Sequence, residues 1–289
     1  MKFPRLINYI LFLLSAFSYS KAYSQSKDLA YYENKLVDIH IEIDTTLNKF
    51  SASLAKRLSY DSLGFDSVEY FIEKLDREFT SLITDNPKTI DFPFKKLVDN
   101  QICKITTSVD GNFRIYNLNS WQLLTEIYQW REQGNVFTKV HRYEKDSSSL
   151  CRDIFIVPVK GKPHYLPVTL SINWPEHAIQ AVAAWRINGS SLEAVTLFKN
   201  SAEKLDRIDV PFSFGNFFSK ERDSSITFIT YDNKQKIVYV SFTNGFGMFT
   251  NSYFIYELKG DYLEFTNIKE MKLEKAIVKP HRQVSHPDK

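Results

Sequence analysis

Catalysis needs a nucleophile, a proton acceptor or a metal set held at a fixed spacing, and the 289-residue chain offers few candidates. Cys151 lies two residues before Asp153 and ten after His141, an order in which an imidazole could deprotonate a thiol. No local signature of a cysteine hydrolase surrounds it. Six histidines invite a metal, yet none follows the His-Glu-x-x-His spacing, and His40 with Glu42 cannot share a helix face. There is no Gly-x-Ser-x-Gly elbow and no phosphate-cradling glycine loop; Gly245 and Gly247 stand among aromatics, as in a turn or bulge. Scattered carboxylates such as Asp153, Glu176 and Glu193 could supply the acid and base of a hydrolase acting on envelope polymers or glycans, but such pairs are defined by their separation in space. Trp174, beside Pro175 in an expected long loop from Ser171 to Gln180, is the candidate ligand-binding contact, with anchoring of that loop to the core as the alternative. The residues point to no cofactor and no metal, and to binding ahead of catalysis.

The ends of the chain say where such binding would occur. Lys2 and Arg5 precede an apolar run from Leu6 to Phe17, and small residues at Ala22 and Ser24 precede Gln25, the order of a secretory leader over residues 1–24. The run is interrupted by Asn8, Ser15 and Ser18, and a bilayer span needs about 20 largely apolar residues. The expectation is export to the periplasm, the outer-membrane surface or the medium, with no stable membrane insertion after cleavage. Lys2, Arg5 and Lys21 leave with the leader and no acidic residue does, so the formal charge of +3 falls to zero. A neutral chain without a basic stripe argues against nucleic acid as partner. Residues 269–289, with Pro280, Pro287, His281 and His286 and no periodicity, read as a flexible tail. In an oxidising compartment Cys103 and Cys151 could pair, which would stabilise the fold by about 4 kcal/mol in the chain-entropy model; two buried free thiols are the alternative.

Two architectures must position these groups. Leu36, Ile39, Ile43, Leu47, Phe50, Leu54 and Leu58 follow three- and four-residue steps and predict a helix with one apolar face. Val68, Phe71, Leu75, Phe79 and Leu82 predict a second, introduced by Asp66 and Glu69 as a capping box and ended by Asn86 and Pro87. The short link from Ser59 to Gly64 folds them into an antiparallel hairpin. This helical region spans residues 25–100, and a β domain over 101–268 follows. Its turn signals are Asp110-Gly111, Gly134-Asn135, Gly161, Asn188-Gly189, Asp232-Asn233 and Gly260-Asp261. The segment from Trp121 to Trp130 reads as strand or helix, and Ala181, Ala183, Trp185 and Ile187 as one strand face. With an aromatic content of 15%, suited to pleated sheet, the expected fold is α+β: a helical hairpin packed on an antiparallel β-meander of about ten strands, closed as a barrel, sandwich or propeller-like array.

The run Asp110-Gly111 with Phe113-Arg114-Ile115-Tyr116 and Trp121, then Asn188-Gly189 with Leu192, Leu197 and Phe198, then Tyr256 to Phe265, resembles a family of exported, uncharacterised proteins of Bacteroidota bacteria over most of the β half. The resemblance implies an envelope location and brings no activity or functional residue with it. It also implies O-glycosylation at acidic-hydroxyl-aliphatic triplets, which Ser62 and Ser67 match and Thr45 matches more weakly. The function expected is non-catalytic binding of a glycan or an envelope protein through the β domain.

Overall fold

The computed structural model describes residues 28–49, 62–119, 124–142, 148–173, 177–213, 228–244 and 247–270. Residues 1–24, expected as a leader, and residues 271–289 of the expected tail lie outside these ranges.

Helix α1, residues 28–49, turns Leu29, Leu36, Ile39 and Ile43 to the core. Helix α2, Ser62–Asp85, adds Val68, Ile72, Leu75, Phe79, Leu82 and Ile83. An ion pair of 2.9 Å between Lys35 and Glu78 ties the two together, while Phe50, Leu54, Leu58 and the start of the expected link lie outside the described residues. The second helix begins four residues before Asp66, so the capping box is not its start. Gly64 costs only about 1 kcal/mol inside a helix, too little to stop it. Asn86 closes the helix by donating to the Leu82 carbonyl at 3.0 Å, and Pro87 opens a 3₁₀ turn, Pro87–Ile90.

A short helix α3, Lys95–Asp99, follows. Its N-cap residue, Phe94, has a positive φ of 47° and no side chain able to cap. The missing acceptor comes from α1: Glu33 Oε1 receives the backbone N–H of Lys96 at 2.6 Å and of Leu97 at 3.2 Å. A carboxylate at exposed helix N–H groups is well placed both as a hydrogen-bond acceptor and against the helix dipole.

The first sheet holds β1 (Cys103–Thr107), β2 (Phe113–Asn119), β3 (Leu124–Glu132) and β4 (Asn135–Arg142), antiparallel and in sequence order. The segment that could have been helix is therefore strand β3 wherever it is described. The second sheet is built on β5 (Ser148–Val159) and β6 (Lys162–Asn173), with β7 (His177–Ala183), β8 (Trp185–Asn188) and β9 (Ser191–Ala194). Short strands β10 (Phe198–Lys199) and β11 (Lys204–Leu205) pass to a third sheet, and β12 (Arg207–Ser213) returns to the edge of the second. Strands β13 (Ile229–Asp232), β14 (Ile237–Thr243), β15 (Phe249–Lys259) and β16 (Tyr262–Glu270) complete the third.

Three expectations fail here. Ser171 and Gln180 do not bound a long loop, because Ser171 pairs with Ile179 and Asn173 with His177 across β6 and β7. Nor do Ala181 to Ile187 share one strand: Ala184, fully buried, leaves the ladder to donate to the Asp206 carbonyl and accept from Val195, which splits β7 from β8. Lys269 and Glu270 belong to β16 rather than to a tail.

Period-two alternation places three apolar clusters in series. Tyr116, Leu118 and Ile127 face the helices from one side of the first sheet. Phe113, Ile115 and Trp130 face Tyr165, Ile154 and Leu192 of the second sheet from the other. Val168, Val182 and Val210 meet Val238, Val240 and Leu263 between the second and third sheets. Among the described residues no helix is long and apolar enough to cross a membrane.

Candidate functional site

Cys103 and Cys151 are free, and the fold explains why no bridge forms. Cys103 packs among the helices, whereas Cys151 lies in the cluster on the opposite face of the first sheet. The sheet stands between them. Burial pushes both thiols well above their ordinary values, and for Cys151 the nearby Glu126 carboxylate adds to the effect. A thiol held neutral in this way is no nucleophile.

The remaining sequence candidates disperse. Glu193 is engaged by Arg186 and Asn188, both at 2.7 Å, across the β8–β9 hairpin. Asp153 sits at an irregularity in the β5–β6 register, where its own carboxylate receives the Ile154 N–H at 2.8 Å. Trp174, Glu176 and Asp61 fall outside the described residues, and so do the side chains of Ser62 and Leu63. Ser67 and Thr45 are exposed positions on helices α2 and α1. Among the described residues no group of three His, Cys, Asp or Glu side chains could hold a metal ion.

Register reveals a constellation that spacing hides. Lys104, Asn117, Glu126 and His141 are cross-strand partners and form one row over all four strands of the first sheet, on the face turned to the second. Glu126 is only 1% exposed. One of its oxygens accepts from Asn117 at 3.1 Å and the other from the Tyr128 hydroxyl at 2.6 Å. Asn117 also donates to the Ser149 carbonyl and accepts the Cys151 N–H, and Thr106 donates to the Cys151 carbonyl. The row thus docks β5 onto the first sheet. A buried carboxylate with both oxygens hydrogen-bonded is a structural group.

A second polar set serves the other face. Arg114 donates to the carbonyls of Thr89, Ile90 and Phe92 at 2.7–2.8 Å and ties down the 3₁₀ turn. The Tyr116 hydroxyl lies 2.8 Å from both the Thr89 carbonyl and Gln129 Oε1, and burial pushes it up to about 12.

The third sheet carries the feature that looks outward. Phe254 of β15 is partnered by Val240 on one side and Ile268 on the other, and Tyr256 by Val238 and Phe265. An extra residue, Thr266, lets Phe265 and Ile268 share the face that Leu263 turns to the core. Rings of Phe242, Phe254 and Phe265 touch in sequence, at 5.3 and 5.9 Å between centroids. Phe242 is 40% exposed and Ile268 57%, so the inner face of this sheet emerges at one end as an apolar surface continuous with the core. Sequence reading missed it because each residue alone is an ordinary strand position. The extra residue between Phe265 and Ile268 breaks the alternation that would have aligned them.

Comparison of the chain with protein-family models, curated proteins and solved structures finds no match.

Proposed function

We propose that the mature chain is an exported, non-catalytic protein that binds a protein partner through the apolar end of its third sheet. The observation that carries this reading is the continuous surface of Phe242, Phe265 and Ile268 around Phe254. Apolar patches left open on a folded chain mark interaction sites. Phenylalanine and isoleucine, without the Trp or Tyr handles that stack and hydrogen-bond on sugars, favour apolar side chains of another protein. The secretory leader in the sequence supports an envelope or extracellular partner.

The test compares the wild type with a Phe265→Ser/Ile268→Ser variant whose circular dichroism and thermal transition confirm folding. Both are applied to envelope extract of the native host and to a glycan and peptidoglycan array. Capture of a defined envelope protein that the variant loses is the expected result. Equal capture by both would remove this surface from the reading, and product release from the array would replace binding by the hydrolase alternative. N-terminal sequencing of the native protein should begin at Gln25; a full-length chain recovered from the cytosol would remove the export half.

A further inference from the structure

Strand β4 ends the first sheet, and no described strand pairs with its outer side. Open strand edges are templates for pairing with another chain, and folded proteins blunt them by shortness, proline, bulges or cover. The other sheet edges here are blunted. Strands β1, β9, β11 and β13 have five residues or fewer. Strand β12 carries Pro211 and is tied to the third sheet through Thr243 and Gly247. Strand β5 is irregular at Cys151, and Asn117 and Thr106 take up backbone groups of Ser149 and Cys151. Beyond its two-residue partner β10, β16 bears the extra residue Thr266. Strand β4 has eight residues, no proline and an unbroken register against β3. Its lysine does not guard the edge, because the Lys139 ammonium lies back over the Trp185 ring, 5.6 Å from the centroid. We infer that β4 is a dimerisation edge, at which a second copy of this chain adds its own β4 antiparallel and joins the two first sheets into one.

The hairpin turn fixes which backbone groups look outward. Gln133 and Gly134 both have positive φ, 50° and 81°, as in the two-residue turn that makes Glu132 and Asn135 a hydrogen-bonded pair. Bonded and open pairs alternate from there, so Val136, Thr138 and Val140 turn their N–H and C=O groups away from β3. A two-fold axis at Thr138 pairs that residue with its own copy and Val136 with Val140, each pair exchanging both backbone bonds. The same axis sets Lys139 opposite Phe137 and Asn135 opposite His141, so β-branched residues meet each other and no charge meets its like directly across the seam. An axis at Val140 would set Lys139 opposite His141, and one at Val136 would carry the pairing past the turn. One sequence thus satisfies both halves of the seam, which favours a second copy over an unrelated strand. Both faces of β4 are already packed, Val140 toward the helices and Phe137 on Trp130, and only the edge is left to pair. The edge is separate from the apolar surface of the third sheet, so either reading stands without the other.

Sedimentation equilibrium of the purified mature chain should give twice the mass of the monomer. Thr138→Pro removes an outward N–H without touching the β3 ladder, and should give a monomer with unchanged circular dichroism. The Phe265→Ser/Ile268→Ser variant should remain a dimer. Asn135→Cys/His141→Cys reads the register at two exposed positions. They face each other across the seam as an open pair with Cα atoms about 4.5 Å apart, within reach of a disulfide. Mild oxidation should therefore yield a covalent dimer from the double variant and none from either single one. A monomeric wild type would overturn the inference, even if the edge accepted a strand of another protein. So would a dimer that persists in a folded Thr138→Pro variant, that is lost in Phe265→Ser/Ile268→Ser, or that fails to cross-link in the double cysteine variant. Should Thr138→Pro not fold, the cross-link decides.

Discussion

A single carboxylate shows how much the fold asks of one residue. Asp110, in the turn between β1 and β2, accepts from the Ser108 hydroxyl at 2.6 Å, the Asn112 backbone at 3.1 Å and the Tyr165 hydroxyl of β6 at 2.9 Å. Partial burial opposes its charge, but these donors outweigh it and hold the carboxyl below its usual value of 3.8. A group depressed on folding contributes stability above its unfolded pKa and loses it as pH falls through the folded one. Asp110→Ala should therefore be less stable than the wild type at pH 7, on the order of 1 kcal/mol after allowance for partial exposure. The gap should narrow as pH drops below about 4, and urea titrations at several pH values would show it. A gap constant with pH would assign the loss to the turn backbone instead. The Asp110-Gly111 turn was legible in the sequence; the reach of Tyr165 to it, 55 positions later, was not.

Elements in this protein are completed by one another. Helix α3 is too short to stand alone, since isolated helices under about 12 residues are marginal in water. Its first turn depends on Glu33, 63 positions upstream of Lys96. Glu33→Ala should cost about 2 kcal/mol, as for a charged hydrogen bond lost from a buried cap, and Glu33→Gln less, because its amide oxygen still accepts. Chemical denaturation of the two variants separates these outcomes, and equal losses would mean that Glu33 acts only by packing. The same dependence explains which elements could be read in advance. Apolar periodicity revealed α1 and α2, and glycine turns revealed most hairpins, because both signals are local. Helix α3, the break at Ala184 and the short β6–β7 connection are set by distant partners, so nothing local announced them. The polar row and the outward apolar surface stayed hidden for a related reason. Strand register decides both, and register emerges only when strands meet.

At the scale of the whole molecule, the two thiols report on cooperativity. Cys103 belongs to the cluster beneath the helices and Cys151 to the one between the first two sheets, yet β1 carries the first and contacts the strand of the second. Neither thiol should react with a disulfide reagent in the native state, and both should become reactive over one narrow range of urea concentration. Exposure of Cys103 well before Cys151 would show that the helical layer detaches on its own.

The third sheet has a consequence for how the chain is made. Its strand order is β11-β10-β16-β15-β14-β13, so the last strand among the described residues lies inside the sheet, parallel to β10 and antiparallel to β15. Phe198 must wait for Leu263, more than sixty residues later, before its pairing exists. Such long-range closure is slow, and it postpones completion of the sheet until β16 is available. A chain ending before β16 would lose an inner strand of the sheet, leaving both β10 and β15 with an unpaired edge.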